Sequence, residues 1–304
     1  MVGTFIITWR ETIEAALIVG IVLTYLDRIG QSAKFRVVYW SVFWAVLASL
    51  AFAGLSNYVA AFLQGSGEDL FATGILFLAT IVLTHMVVWM HHNAREIKGT
   101  LQQGVESAIA RHRLFALAAL VFLGVFREGV ETVLFLWGLV LQSGGIQSVT
   151  PAVTGGALGI GIGVLMAWLF FRGFRSLDLR VFFRVSGVIL IFMAAGMCAS
   201  GFGRLVASGL VPGIVEPVWD TSWLLNDRSM VGAIVSGLFG YRSHPSLVEV
   251  LVYGLYFPVV FFLVRSRSRD GSEDGNKPGH DSISPKAGRV YQTAKRHVPV
   301  AHER

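Results

Sequence analysis

Seven long apolar runs dominate the chain: Gly3–Leu26, Val38–Leu63, Leu70–Met90, Leu114–Leu141, Ala152–Phe171, Val185–Val206 and Leu247–Val264. A helix rises about 1.5 Å per residue, so each run comes close to the ~30 Å of a bilayer's hydrocarbon core. The expected fold is therefore an all-α integral membrane protein with seven spans. Charge density agrees. Only 14% of the residues are charged, against about a quarter in soluble domains, which is too few to clothe a water-facing surface. An ordinary soluble enzyme is thereby excluded. The 34 glycines follow no Gly-X-Y period, which excludes collagen and fits closely packed membrane helices. Arg10 and Glu11 interrupt the apolar core that a cleavable leader would need.

Basic residues orient the spans. Twenty of the 25 Lys and Arg lie after spans 1, 3 and 5 or in the tail from Arg265 onward. The segments after spans 2 and 4 have none. This bias, with strict alternation over seven spans, predicts an N-terminus outside and a C-terminus in the cytoplasm. It also accounts for the net charge of +6 without a nucleic-acid surface. Residues 265–304 are polar, poor in aromatics and basic, and read as a cytoplasmic disordered tail that can rest on anionic lipid. Residues 1–264 form the seven-span domain.

Within that domain, Trp9-Arg10-Glu11-Thr12-Ile13-Glu14 in span 1 is echoed by Phe126-Arg127-Glu128-Gly129-Val130-Glu131 in span 4, 117 residues later. Each copy opens a block of three spans: repeat A at about 3–90 and repeat B at about 114–206. Three is odd, so the second block enters the membrane upside down. Inverted repeats place a site near the midplane at their interface. An outer segment (207–246) and a seventh helix (247–264) follow. Spans 2 and 5 share small residues at four-residue spacing, Ala45, Ser49 and Ala53 against Gly155, Gly159 and Gly163, which suits close helix packing.

The repeated motif puts charge where it is costly. A charged side chain at the bilayer centre costs at least about 2.5–3.5 kcal/mol, on the order of 15–20 kcal/mol for Arg10, Glu11, Glu14, Arg127, Glu128 and Glu131 together. These side chains must therefore face the bundle interior and one another. Residues three and four apart share a helix face. Glu11 thus lies beside Glu14, and Arg10 can reach Glu14; Glu128, Glu131 and Arg127 repeat the pattern. If spans 1 and 4 cross, four carboxylates converge and two guanidiniums leave a formal −2. Carboxylate oxygens with that charge suit a hard or borderline cation. The alternative is a pair of ion pairs that lock helix register, which leaves one carboxylate per motif unexplained.

At these residues the chain resembles the oxidase-dependent iron permease family, in its bacterial EfeU-type branch and fungal relatives. That family carries seven spans and Arg-Glu-x-x-Glu motifs in the first and fourth. The second motif, Arg-Glu-Gly-Val-Glu, is close to the family pattern, whereas the first has Thr12 where Gly is usual. The likeness extends through Asn93–Gly99, Pro217-Val218-Trp219-Asp220, Gly240-Tyr241 and Pro245–Val250 to about residue 264. It implies iron import across the cytoplasmic (inner) membrane, with Glu11, Glu14, Glu128 and Glu131 as metal ligands and Arg10 and Arg127 in support. It also implies iron as a transported substrate rather than a bound cofactor, and extracytoplasmic oxidase or iron-delivery partners. Other expected pathway residues are His85 in span 3, Asp220 on the outer segment, and Glu249 and Tyr253 at the start of span 7. His91 and His92 could receive the ion on exit. Glu68, Asp69, Glu216 and Asp227 are further outer carboxylates, and Met230–Tyr241 is apolar but too short to span. Competing readings are a permease for manganese or lead and a non-transport membrane subunit. An intramembrane enzyme is disfavoured, because no nucleophile or cofactor motif accompanies the carboxylates.

Overall fold

The computed structural model describes residues 1–62, 66–93, 97–110, 114–143, 149–172, 179–212, 215, 217–227 and 229–274. Arg95, Arg111, Arg113, Arg175, Glu216, Arg228, the side chains of His91 and His92, and tail residues 275–304 lie outside this description. Two units divide the chain, Met1–Arg265 and Ser266–Arg304; the first is treated below.

Apolar runs without water must satisfy their backbone internally, and helices do so. Among the described residues there are helices and no strands. The helices are α1 (Val2–Arg28), α2 (Phe35–Phe62), α3 (Ser66–Asn93), α4 (Ile97–Ala110), α5 (Leu114–Gln142), α6 (Val149–Phe171), α7 (Leu179–Ala207), α8 (Met230–Phe239) and α9 (Leu247–Asp274). Stretches of α2, α3, α6, α7 and α9 are long and apolar enough to cross a membrane, so the protein is a multi-pass membrane protein. Helices α1 and α5 are as long, 27 and 29 residues, but carry the charged motifs. Apolar side chains stay exposed on the outer faces of α2, α6 and α9, among them Trp44, Leu165 and Phe262, as lipid contact requires. The backbone of α9 continues to Asp274, ten residues past the end expected at Val264.

Pairing between helices is reciprocal. Helix α1 packs most extensively on α6, α2 on α5, and α3 on α7, while α1 also crosses α5. Small residues make the first contact possible. A Cβ at Gly155 would meet the Met1 carbonyl, one at Gly159 the Thr8 hydroxyl and Phe5 carbonyl, and one at Gly163 the Thr12 side chain. The packing role expected of this stripe is what the structure shows. On the other side, Gly129 of α5 lies against Ser49 of α2. Helix α1 ends at Gly30, whose φ of 70° lets its own amide and that of Gln31 return to the Asp27 and Leu26 carbonyls.

Two helices lie outside the long runs. Helix α4 falls in the basic segment after span 3 and was not anticipated. It packs on α1 and α5 and buries Val105. Its signal is modest: Leu101 and Val105 are four apart among polar residues. Helix α8 occupies the short apolar stretch. The Ser229 hydroxyl caps it by accepting the Gly232 amide (2.9 Å). It ends at Gly240 (φ 67°), which touches Gly196 of α7 so closely that neither tolerates a side chain.

Apolar packing brackets the motifs. Towards the start of α1 and the end of α5, Ile7, Leu134, Phe135 and Leu139 are buried with residues of α3, α7 and α9. Towards the opposite ends, Val22, Leu26, Leu117, Val121 and Val125 are buried with Val38, Ala45 and Val105.

Candidate metal centre

Helices α1 and α5 bring their charged turns together between these two apolar layers. Arg10 and Glu11 are each 1% exposed, and Glu128 and Glu131 each 7%. One carboxylate oxygen from each of Glu11, Glu128 and Glu131 lies within 4.8 Å of the others. Oε2 of each is buried without a hydrogen-bond partner. Three carboxylate oxygens no more than 4.8 Å apart surround a point within about 2.8 Å of each, and small side-chain rotations reach the ~2.0–2.2 Å of carboxylate–metal bonds. Buried polar atoms without partners are costly, and their presence on three converging carboxylates suits a cation.

Glu14 takes a different position. Its Oε1 accepts an ion pair from Arg10 Nη2 at 2.7 Å, as the four-residue spacing predicts. Arg10 Nη1 also reaches Oε1 of the adjacent Glu11 at 3.0 Å. The same guanidinium lies against the sulfurs of Met86 (3.2 Å) and Met90 (2.8 Å). Those methionines are four apart on α3, a pairing visible in the sequence but not read from it. In the second motif Arg127 Nε donates to Glu131 Oε1 at 2.7 Å, again the expected partner. Its guanidinium stands over the Trp89 ring, 5.7 Å from the centroid.

The remaining predicted residues do not belong to this cluster. His85 is exposed, on a different face of α3 from the buried Met86 and Met90. Glu249 is buried, but it accepts the Ser246 amide (2.9 Å) while the Ser246 hydroxyl accepts the Glu249 amide (3.3 Å). This is a reciprocal cap at the start of α9, legible in Ser246-Leu247-Val248-Glu249 yet missed. Arg242 Nη1 pairs with its other oxygen at 3.0 Å. Tyr253 donates its hydroxyl to the Phe239 carbonyl (2.6 Å), tying α9 to the end of α8. Asp220 is on the outer segment, where it accepts from the Ser222 hydroxyl and amide and meets His244 Nε2 at 3.0 Å. The Ser222 hydroxyl, then its amide, hold the Asp220 carboxyl below its ordinary range. Asp227 accepts from the Ser243 amide and hydroxyl. Asp69 pairs loosely with Arg204 at 3.5 Å, and Glu68 shares the first turn of α3.

Comparison with known proteins bears on this arrangement. The family model described as the iron permease FTR1 family matches residues 1–267. The chain is 34% identical over 254 residues to the ferrous iron permease EfeU of Escherichia coli O157:H7, covering 83% of this chain and 91% of that one. It is 31% identical over 272 residues to the ferrous iron permease EfeU of Yersinia pestis, covering 88% and 95%. No solved structure matches the chain.

Proposed function

The chain belongs to the iron permease FTR1 family, and from that premise we propose that it imports iron across the cytoplasmic membrane through the carboxylate cluster where α1 crosses α5. The observation that carries this reading is the convergence of Glu11, Glu128 and Glu131 from two helices, each with a buried oxygen lacking a partner. These three are the ligands at the point of convergence. Glu14, one turn from Glu11 and bound to Arg10, is the fourth ligand in reach once it exchanges that partner. Four carboxylates against two guanidiniums give a formal −2, which balances a divalent ion; the relatives are named for ferrous iron.

Seven spans in two inverted three-helix blocks fit the packing best. Helices α1 and α5 qualify as spans because Arg10, Glu11, Glu128 and Glu131 are turned inward. The exchange of partners, α1 with α6 and α2 with α5, supports a pseudo-twofold relation between residues 3–90 and 114–206. The N-terminus lies outside and the C-terminus in the cytoplasm, in accord with the basic bias. The outer segment, with Asp220 and its neighbours, faces the side on which an oxidase or iron-delivery protein would hand over the ion. No step of chemistry on the ion is asked of this chain, which is a carrier and not an enzyme.

The test is uptake of radiolabelled iron into vesicles holding the purified protein alone, with and without reductant, for the wild type and Glu131→Gln. Loss in the variant at unchanged protein level supports the site, and retained uptake overturns it. Competition by manganese and lead in the same vesicles separates an iron permease from one for another divalent ion, since carboxylate oxygens accept several such ions.

A further inference from the structure

Arg10 sits among acceptors of two kinds. Its Nη1 meets Glu11 Oε1 at 3.0 Å and Met86 Sδ at 3.2 Å, and its Nη2 meets Glu14 Oε1 at 2.7 Å and Met90 Sδ at 2.8 Å. Each Nη carries two hydrogens, so each has one carboxylate oxygen and one sulfur to receive them. Both sulfurs come from one face of α3, four residues apart, and both methionines are buried. The preceding residue, Trp9, gives its indole N–H to a third sulfur, Met166 Sδ of α6, at 3.1 Å. A thioether is a weak, uncharged acceptor. With an aliphatic side chain in its place, the second N–H of each Nη would be bare in a dry interior, where an unpaired donor is costly. A free acceptor stands beside them. Glu11 Oε2 is buried without a partner, on the carboxylate that Nη1 already holds through Oε1. Guanidinium and carboxylate close readily into a two-pronged pair, and that closure would consume the oxygen that Arg10 leaves open to a cation.

We propose that Met86 and Met90 are positioning residues of the metal centre. Their sulfurs take up the second N–H of each Nη, keep Arg10 from closing on Glu11 through both oxygens, and so keep Glu11 Oε2 available to the ion. They act through Arg10 and are not themselves ligands, since both sulfurs are committed to the guanidinium. A thioether suits this task because it satisfies the donor without adding charge to the pocket or an oxygen that competes for the metal. The inference rests on the carboxylate cluster being the iron site.

The test uses the full chain purified in detergent. Ferrous iron is titrated under reductant, its binding read from the rise in thermal midpoint, and ferrous uptake into vesicles is measured alongside. Leu is close to Met in volume and has no acceptor. Met90→Leu should weaken iron binding and raise the KM for uptake at least about fivefold, the worth of an ordinary hydrogen bond, with the maximal rate per molecule kept. Met86→Leu, at the longer contact, should do less, and the double variant more. Met90→Gln restores an acceptor through its side-chain carbonyl and should bring binding back to within about twofold of the wild type. Mere packing predicts the reverse order, because Leu suits an apolar core and a buried amide does not. Wild-type binding in the double Leu variant, or a Met90→Leu defect that Met90→Gln deepens, therefore overturns the proposal. Glu131→Gln separates the two claims. If it still binds and carries iron, the carboxylate site itself is wrong; if it is dead while the Leu variants bind as the wild type does, only the role of the methionines is wrong.

Discussion

Helices α1 and α5 carry one motif and are met by neighbours of opposite build. On α1 the motif holds Thr12, and the facing residue on α6 is Gly163; on α5 it holds Gly129, and the facing residue on α2 is Ser49. Bulk has changed sides while the close approach is kept. Thr12, the departure from the family pattern, is thus accommodated by a glycine on another helix. The arginines diverge further: Arg10 is enclosed, whereas the Arg127 side chain is 47% exposed. A shared motif sets the spacing of charges, and the partner helices decide how far each is covered.

The largest expected effect tests whether the two copies make one site. Glu11→Gln and Glu131→Gln should each reduce iron uptake to background with membrane levels near those of the wild type. A variant in one helix that transports normally while the other is dead would show that the site is not shared. Next comes the contrast between the arginines. Arg10→Met leaves Glu11 and Glu14 buried without a counter-charge, a loss on the order of 3–5 kcal/mol, and its membrane level should fall several-fold. Arg127→Gln should accumulate normally, and equal abundance of the two variants would erase the distinction. Arg10→Lys should fold yet transport poorly, because an ammonium cannot bridge two carboxylates as a planar fork does.

Smaller effects probe the helix contacts. Gly159→Val on α6 drives a side chain into the Thr8 hydroxyl and Phe5 carbonyl, and should lower the thermal midpoint in detergent by the equivalent of about 1–3 kcal/mol. Gly161→Val on the same helix has nothing within 4 Å of its Cβ and should be silent. Matching losses at both positions would mean that helix propensity, not contact, is being measured. The smallest effect is expected for Glu249→Ala, which removes the reciprocal cap of α9 at a cost of about 1 kcal/mol. Uptake per molecule should be unchanged; a specific loss of transport would return Glu249 to the pathway.

Much of this was legible along the chain. The long apolar runs marked seven of the nine described helices, and the Arg-Glu-x-x-Glu spacing foretold both Arg10–Glu14 and Arg127–Glu131. Helix α4 was hidden by its short amphipathic pattern inside a basic segment. The jobs of Glu249 and Tyr253 were hidden because a polar residue near a span end looks the same whether it caps a helix or lines a route. Met86, Met90 and Trp89 read as ordinary apolar residues until the fold set them against the two arginines.

The sequence by itself determined where the long apolar helices run and which of the motif's charges share a face. Those properties follow from the transfer cost of each residue and the 3.6-residue turn, both local. Only the tertiary structure decided that Glu11, Glu128 and Glu131 converge, and that one guanidinium is enclosed and the other partly open. Helices in lipid gain little from burying apolar surface against each other, so their partners are chosen by shape, and shape is supplied by glycines and side chains far apart along the chain.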